Sequence, residues 1–127
     1  MNIKQNILSL DLPNNSFVVV GSGILNVLGI RGSYDIDLIV SQEVFDSLDM
    51  AGWKRDVWPD QAVYKKGVFD IGIHWMGDRL DVLLKNATVI DGVPYLSLAD
   101  LLQWKTRRAR PKDISDIRLI NDYLDKN

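Results

Sequence analysis

Asp35 and Asp37 flank Ile36 in the segment Tyr34-Asp35-Ile36-Asp37-Leu38. Side chains alternate along an extended chain, so the two carboxylates share one face, about 7 Å apart along the backbone. Two like charges on one face repel each other unless a divalent cation lies between them or water covers the face. Solvent-facing alternation at a sheet edge gives the same spacing. Against it, Ile39-Val40 continues the segment as an interior strand, where a free carboxylate is costly. A third acid, Asp70, interrupts the apolar run Val68-Phe69-Asp70-Ile71-Gly72-Ile73 and needs a partner for the same reason. If its strand lies beside that of Asp35 and Asp37, the three acids form the smallest set that holds two Mg²⁺ ions on a triphosphate with one carboxylate left near an attacking hydroxyl. Asp81, in Leu80-Asp81-Val82, is the weaker rival for third acid.

Gly21-Ser22 stands where an apolar strand turns into a helix, which allows close backbone approach and offers N–H groups to phosphate oxygens. Taken alone, so short a motif is more often a plain tight turn. The chain has no Gly-Lys-Ser/Thr of a phosphate-cradling loop, and Gly21-Ser22-Gly23-Ile24-Leu25-Asn26 misses the last glycine of the dinucleotide fingerprint. Lys105, Arg107, Arg108, Arg110 and Lys112 place five cations in eight positions on a chain whose net charge is −2. A local positive patch on an acidic body suits a small anionic ligand better than a long polyanion. Lys105 follows the inward turn Leu101–Trp104 and is the favoured phosphate-binding cation, although a solvated helix face also accounts for such runs. Asp113 and Asp116 are expected to complement the N-terminus of the last helix. His74 has no Cys or His neighbour to share a metal and reads as a hydrogen-bonded structural residue. Trp53, Trp58, Trp75 and Trp104 read as core or rim packing, with Trp58 the most exposed of them and able to border a nucleotide.

The elements that must position these groups follow from the apolar pattern. A helix over 2–10 presents Ile3, Ile7, Leu8 and Leu10, and Phe17–Val20 is a strand covered on both faces. A short helix ends near Gly29, a strand runs over 34–40, and a helix over 42–51 turns Val44, Phe45, Leu48 and Met50 inward behind a Ser41 cap. Strands over 53–58, 62–65 and 68–75 follow, with Lys66-Gly67 as a hairpin turn; 78–86 is a helical turn or a loop. Strands over 88–90 and 94–96 flank Asp91-Gly92, and Ser97 with Asp100 opens a helix that Pro111 breaks. The last helix buries Ile114, Ile117, Ile120 and Leu124.

The 127 residues suit one domain, 1–127, of α+β class, and 46% apolar residues support a two-layer core and argue against disorder. No apolar stretch nears the roughly 20 residues that span a bilayer, and residues 1–20 show no basic-then-apolar leader, so a cytoplasmic protein without membrane contact is expected. Zero Cys and one His exclude thiolate and multi-histidine metal sites, which leaves hard cations held by oxygen.

Gly21-Ser22 at the strand-to-helix turn, then Arg31-Gly32-Ser33-Tyr34-Asp35-Ile36-Asp37-Leu38, then Asp70, resembles the nucleotidyltransferase superfamily with the DNA polymerase β-like fold. The tail, with Ser97-Leu98-Ala99-Asp100-Leu101-Leu102 and Arg110-Pro111-Lys112-Asp113, is similar to small bacterial AbiEii-like toxins and to lincosamide and other antibiotic nucleotidyltransferases. The resemblance covers roughly residues 16–120, and Ser33 stands where Thr is more usual. It implies a mixed sheet flanked by helices, with two C-terminal helices, and transfer of a nucleoside monophosphate from an NTP to an unidentified hydroxyl acceptor with release of pyrophosphate. It further implies that Asp35, Asp37 and Asp70 bind two Mg²⁺ ions, with Asp70 also the base for the hydroxyl. Gly21 and Ser22 then hold the β- and γ-phosphates, and Arg31 and Lys105 neutralise the triphosphate. The other expectation is a catalytically silent domain of the same kind that works through a protein partner, as in toxin–antitoxin pairs. A homodimer or a partner subunit would complete the cleft in either case.

Overall fold

A computed structural model describes residues 1–126, which form an α+β structure. Among the described residues there are six helices, nine strands and a mixed seven-stranded sheet. In chain order they are α1 (Ile3–Leu8), β1 (Phe17–Val20), α2 (Gly23–Val27), β2 (Ile36–Val40), α3 (Gln42–Met50), β3 (Lys54–Trp58), β4 (Gln61–Lys66) and β5 (Phe69–Gly72). After these come β6 (His74–Trp75), β7 (Asp78–Arg79), α4 (Leu80–Lys85), β8 (Thr88–Ile90), β9 (Val93–Tyr95), α5 (Leu98–Arg108) and α6 (Pro111–Lys126). The sheet order is β3-β4-β5-β2-β1-β9-β8, with β2/β5 and β1/β9 parallel and the other pairs antiparallel.

The unbroken β-branched run of β1 is fully buried, as are Ile36, Leu38 and Ile39 of β2. Each such side chain contributes about 1.5–3 kcal/mol on leaving water. This places β1 and β2 at the centre of the sheet and fixes the loops at their ends. Asp91 (φ 53°) and Gly92 (φ 80°) make the two-residue turn between β8 and β9, and Met76 (φ 54°) and Gly77 (φ 83°) do the same between β6 and β7. Both residues at positive φ match the right-handed twist of the strands they join.

Several expected boundaries move. The strand expected over 68–75 is two: β5 leaves the sheet at Gly72, and β6 pairs with β7 in a separate ribbon. Gln61 takes over the freed backbone there: its Oε1 accepts from Ile73 N (3.0 Å), and its Nε2 donates to the His74 carbonyl (2.6 Å). The turn between β4 and β5 is Gly67-Val68, one residue later than expected, because Lys66 pairs with Phe69. The strand expected from Tyr34 begins at Ile36, and Tyr34 is 91% exposed. Leu8, Met50, Ile114 and Leu124 are exposed rather than inward. Met50 lies two residues past the buried Leu48 and therefore on the far side of a 3.6-residue helix. In α6 the buried line runs through Asp113, Asp116 and Ile120, which turns Ile114 outward.

No helix among the described residues is long and apolar enough to cross a membrane.

Candidate functional site

One transverse row of the sheet organises the site. In register across adjacent strands stand Val20 (β1), Asp37 (β2), Asp70 (β5), Lys65 (β4) and Lys54 (β3). Register partners share a sheet face, so the two acids and the two lysines project the same way. Asp35 precedes β2 on an exposed segment, two residues from Asp37. The row opens into a cleft of about 850 Å³ lined by Gly21, Ser22, Arg31, Asp35, Asp37, Asp70 and Lys105, together with Trp58, Trp75, Trp104, Arg108 and Lys112. All seven residues singled out in the sequence therefore border one cavity. Asp81 does not line it and is exposed on α4, so the rival third acid is out of place.

Gly21 follows Val20 directly and has φ +63°, a conformation that an L side chain adopts only with strain. A Cβ there would lie 2.7 Å from Asp37 Oδ2, so the turn rests against the carboxylate and a larger residue would have to push it aside. At Gly23 a Cβ would meet Val19 Cγ1 at 2.4 Å, which fixes the second glycine by the packing of α2 on β1. The Ser22 hydroxyl makes no capping hydrogen bond to α2, and α2 is only five residues long. Its macrodipole is correspondingly small, so any anion binding here depends on the turn itself rather than on the helix.

Burial pushes the Asp37 carboxyl up to about 7, reinforced by the charges of Asp70 and Asp35 and opposed by Lys65. Asp70, 9% exposed, is directed at Lys65: Nζ lies 2.9 Å from Oδ1. Hydrogen bonding to Asp70 raises the Lys65 pKa, with the charges of Asp70, Asp35 and Asp56 acting in the same sense. Among the described residues no three His, Cys, Asp or Glu side chains converge as a ready metal cage. The donor chemistry nonetheless fits a hard divalent ion: three carboxylates line one cavity, and burial first, then the charges of the other two, makes ionisation of Asp37 costly without a cation.

Arg31 and Lys105 border the cleft, but their charges are engaged. Arg31 donates two hydrogen bonds to Asp116, from Nε (2.6 Å) and an Nη (2.8 Å). Lys105, 3% exposed, lies 2.7 Å from Asp116 and 3.6 Å from Asp113. Arg110 completes the chain with a bidentate pair to Asp113 (2.6 and 3.0 Å), and its backbone N–H donates to the same carboxylate. The hydrogen bond from Arg110 leads in holding the Asp113 carboxyl down to about 2. Burial opposes ionisation of Asp116, yet the hydrogen bonds and charges of Arg31 and Lys105 outweigh it and keep its pKa low. So the expected free phosphate ligands Arg31 and Lys105 are members of a network of three cations and two acids, in which Lys105, Asp113 and Asp116 are buried and the two arginines are partly exposed. Asp116 serves that network rather than the end of α6. Arg108 and Lys112 line the cleft and form no ion pair among the described residues, so their charges are not neutralised by an acid.

The tryptophans are more organised than rim packing. Trp58 meets Trp75 edge-on at 6.2 Å, Trp75 meets Trp104 at 4.7 Å, and Arg108 lies over Trp104 at 4.9 Å. All three rings are half-buried and line the cleft, so Trp58 is not the lone exposed one; Trp53 alone belongs to the core. The His74 ring is not hydrogen-bonded as expected: its Nδ1 has no hydrogen-bond partner, and Asp60 stands at 3.6 Å. Sequence reading missed Lys65 and the inward role of Asp113 and Asp116; Arg108 it placed only within the positive patch.

The fold and site define an α+β structure with a tryptophan-walled cleft in which carboxylates and cations face one another. No family model, curated protein or solved structure matches the chain.

Proposed function

We propose that the cleft binds a nucleoside triphosphate with Mg²⁺ and that the protein is a nucleotidyltransferase, moving the nucleoside monophosphate to a hydroxyl acceptor with loss of pyrophosphate. The observation that carries this is the in-register pair Asp37 and Asp70, with Asp35 beside them and the Gly21-Ser22 turn pressed against Asp37. The mixed sheet, with an antiparallel β1/β2 pair and a parallel β2/β5 pair, supports the corresponding fold. Asp35 and Asp37 would hold Mg²⁺, with Asp70 reaching a second ion. When bound, the metal supplies charge neutralisation on the phosphates and in-line alignment of nucleophile and leaving group. The Gly21-Ser22 backbone and the Ser22 hydroxyl line the cleft and would hold the β- and γ-phosphates. Arg108 and Lys112 provide the free positive charge that Arg31 and Lys105 do not, and the ring of Trp58 or Trp75 offers a face for the base. Asp70 Oδ2, the oxygen not paired with Lys65, would take the proton of the acceptor hydroxyl.

Magnesium-dependent binding of each NTP, measured by calorimetry on the wild type and on the Asp35→Asn/Asp37→Asn double variant, tests this. A loss of affinity of roughly 100-fold or more is expected, from two carboxylates removed beside a triphosphate-bound ion. Equal binding by both proteins rejects the metal role.

The engagement of Asp70 by Lys65 favours a second reading, a nucleotide-binding domain without turnover that acts through a protein partner, completed by a homodimer or another subunit. Retained magnesium-dependent NTP binding with no pyrophosphate release in the presence of any nucleoside, RNA-end or protein acceptor would favour it.

A further inference from the structure

We infer that Lys65 is a built-in counter-ion of the acidic cleft, occupying Asp70 so that the nucleotide-free protein takes one divalent ion, at Asp35 and Asp37, rather than two. The inference rests on the divalent-ion reading of the cleft and narrows it. Lys65 and Asp70 are register partners across the β4/β5 hairpin, two residues on either side of the Gly67-Val68 turn, so the backbone ladder holds the ammonium over the carboxylate. Nζ lies 2.9 Å from Asp70 Oδ1, so a cation approaching this carboxylate, at either oxygen, meets a positive charge already in place. On the opposite side, the register partner of Lys65 is Lys54, a like charge that offers no competing acceptor. The acids that act on Lys65 beyond Asp70 are Asp35 and Asp56.

The charge count explains the arrangement. Asp35, Asp37 and Asp70 carry up to three negative charges in one cleft, and their mutual repulsion is what a divalent ion relieves. Lys65 supplies one positive charge permanently, on a half-exposed side chain that is free to swing out to solvent. A cation arriving at Asp70 is repelled by that charge unless the side chain swings away, which weakens this position selectively and leaves Asp35 and Asp37 unobstructed. A triphosphate brings enough negative charge to draw the ammonium off Asp70, and the second position then opens together with substrate.

Mn²⁺ alone, titrated into the full chain without nucleotide and followed by electron paramagnetic resonance, reads the stoichiometry directly. The wild type is expected to bind one ion and Lys65→Met two, or one ion on the order of tenfold tighter, since a neighbouring positive charge has been removed. Lys65→Arg keeps the charge and is expected to bind as the wild type does. Lys65→Gln repeats the test with a polar side chain should the methionine variant not fold. Two ions on the wild type, or unchanged number and affinity in Lys65→Met and Lys65→Gln, overturns the counter-ion role while the divalent-ion reading stands. Absence of Mn²⁺ from the wild type and from every Lys65 variant overturns both.

Discussion

Asp116→Ala is expected to destabilise the protein by about 3–5 kcal/mol, the cost of breaking a buried ion pair from one side. Asp116 is the hub: it takes two hydrogen bonds from Arg31 and lies 2.7 Å from Lys105. Without it Lys105, almost fully buried on α5, retains Asp113 at 3.6 Å and the Trp104 ring at 5.4 Å, and Asp113 is already bidentate to Arg110. An ammonium in such a place cannot rehydrate without opening the α5/α6 packing. In a chain of this length the midpoint of thermal unfolding should fall by roughly 10–20 °C. The double variant Lys105→Met/Asp116→Leu should recover part of that loss, because no buried ammonium is left unpaired and the Arg31 guanidinium, one-third exposed, can turn to water. A midpoint for Asp116→Ala within about 2 °C of the wild type would show that the network carries no stability. Arg31 precedes Asp35 by four residues, so freeing it should also loosen the segment that presents Asp35 to the cleft.

Asp37→Asn is expected to make the metal-free protein more stable at pH 8 while removing its response to Mg²⁺. The folded-state pKa of Asp37 is about 7, against 3.8 for the ordinary side chain, because burial and then Asp70 and Asp35 disfavour its charge. The folded protein thus holds a proton that the unfolded chain has released, and this contribution favours folding at low pH. It is lost as pH rises from about 4 to about 7 and stays lost above that. Asparagine cannot ionise and avoids the loss, which amounts to about 2–4 kcal/mol at pH 8. The depressed pKa values of Asp113 and Asp116 work in the opposite sense, adding stability that disappears only below about pH 4, so the two windows separate. Millimolar Mg²⁺ should raise the wild-type melting temperature at pH 8 and not at pH 5, where the proton competes for Asp37. Denaturant titrations of both proteins at pH 5 and 8 decide it. A wild type that gains stability from pH 5 to 8 without a cation, and an Asn variant weaker than it at pH 8, would be the opposite result.

The acids of the cleft were legible because a charged residue inside an apolar strand stands out, and Asp35, Asp37 and Asp70 all line the cavity as the pattern suggests. The continuous valines of β1 and the Asp91-Gly92 hairpin were legible on similar local grounds. Lys65 was not, for a specific reason. A turn at Lys66-Gly67 pairs Lys65 with Val68 and Asp70 with Val63, whereas the turn at Gly67-Val68 pairs Lys65 with Asp70. A slip of one residue in a hairpin exchanges every cross-strand partner. The α5/α6 network escaped for the opposite reason, since Arg31 and Asp116 are 85 residues apart and no local pattern joins them. Acids in the first turns of a helix ordinarily answer its dipole, and apolar residues at 114, 117, 120 and 124 compose a plausible inward stripe. Burial of the ion network turned α6 so that Asp113 and Asp116 face in and Ile114 faces out.

The account depends on Asp37 and Asp35 meeting a divalent ion beside the Gly21-Ser22 turn. A crystal soaked with Mn²⁺ and a non-hydrolysable NTP, with data collected at the manganese absorption edge, measures this directly. The account predicts an anomalous peak about 2.2 Å from a carboxylate oxygen of Asp37, shared with the triphosphate lying against Gly21 and Ser22. An ordered nucleotide elsewhere on the surface, or manganese that leaves Asp37 untouched at saturating concentration, would contradict it.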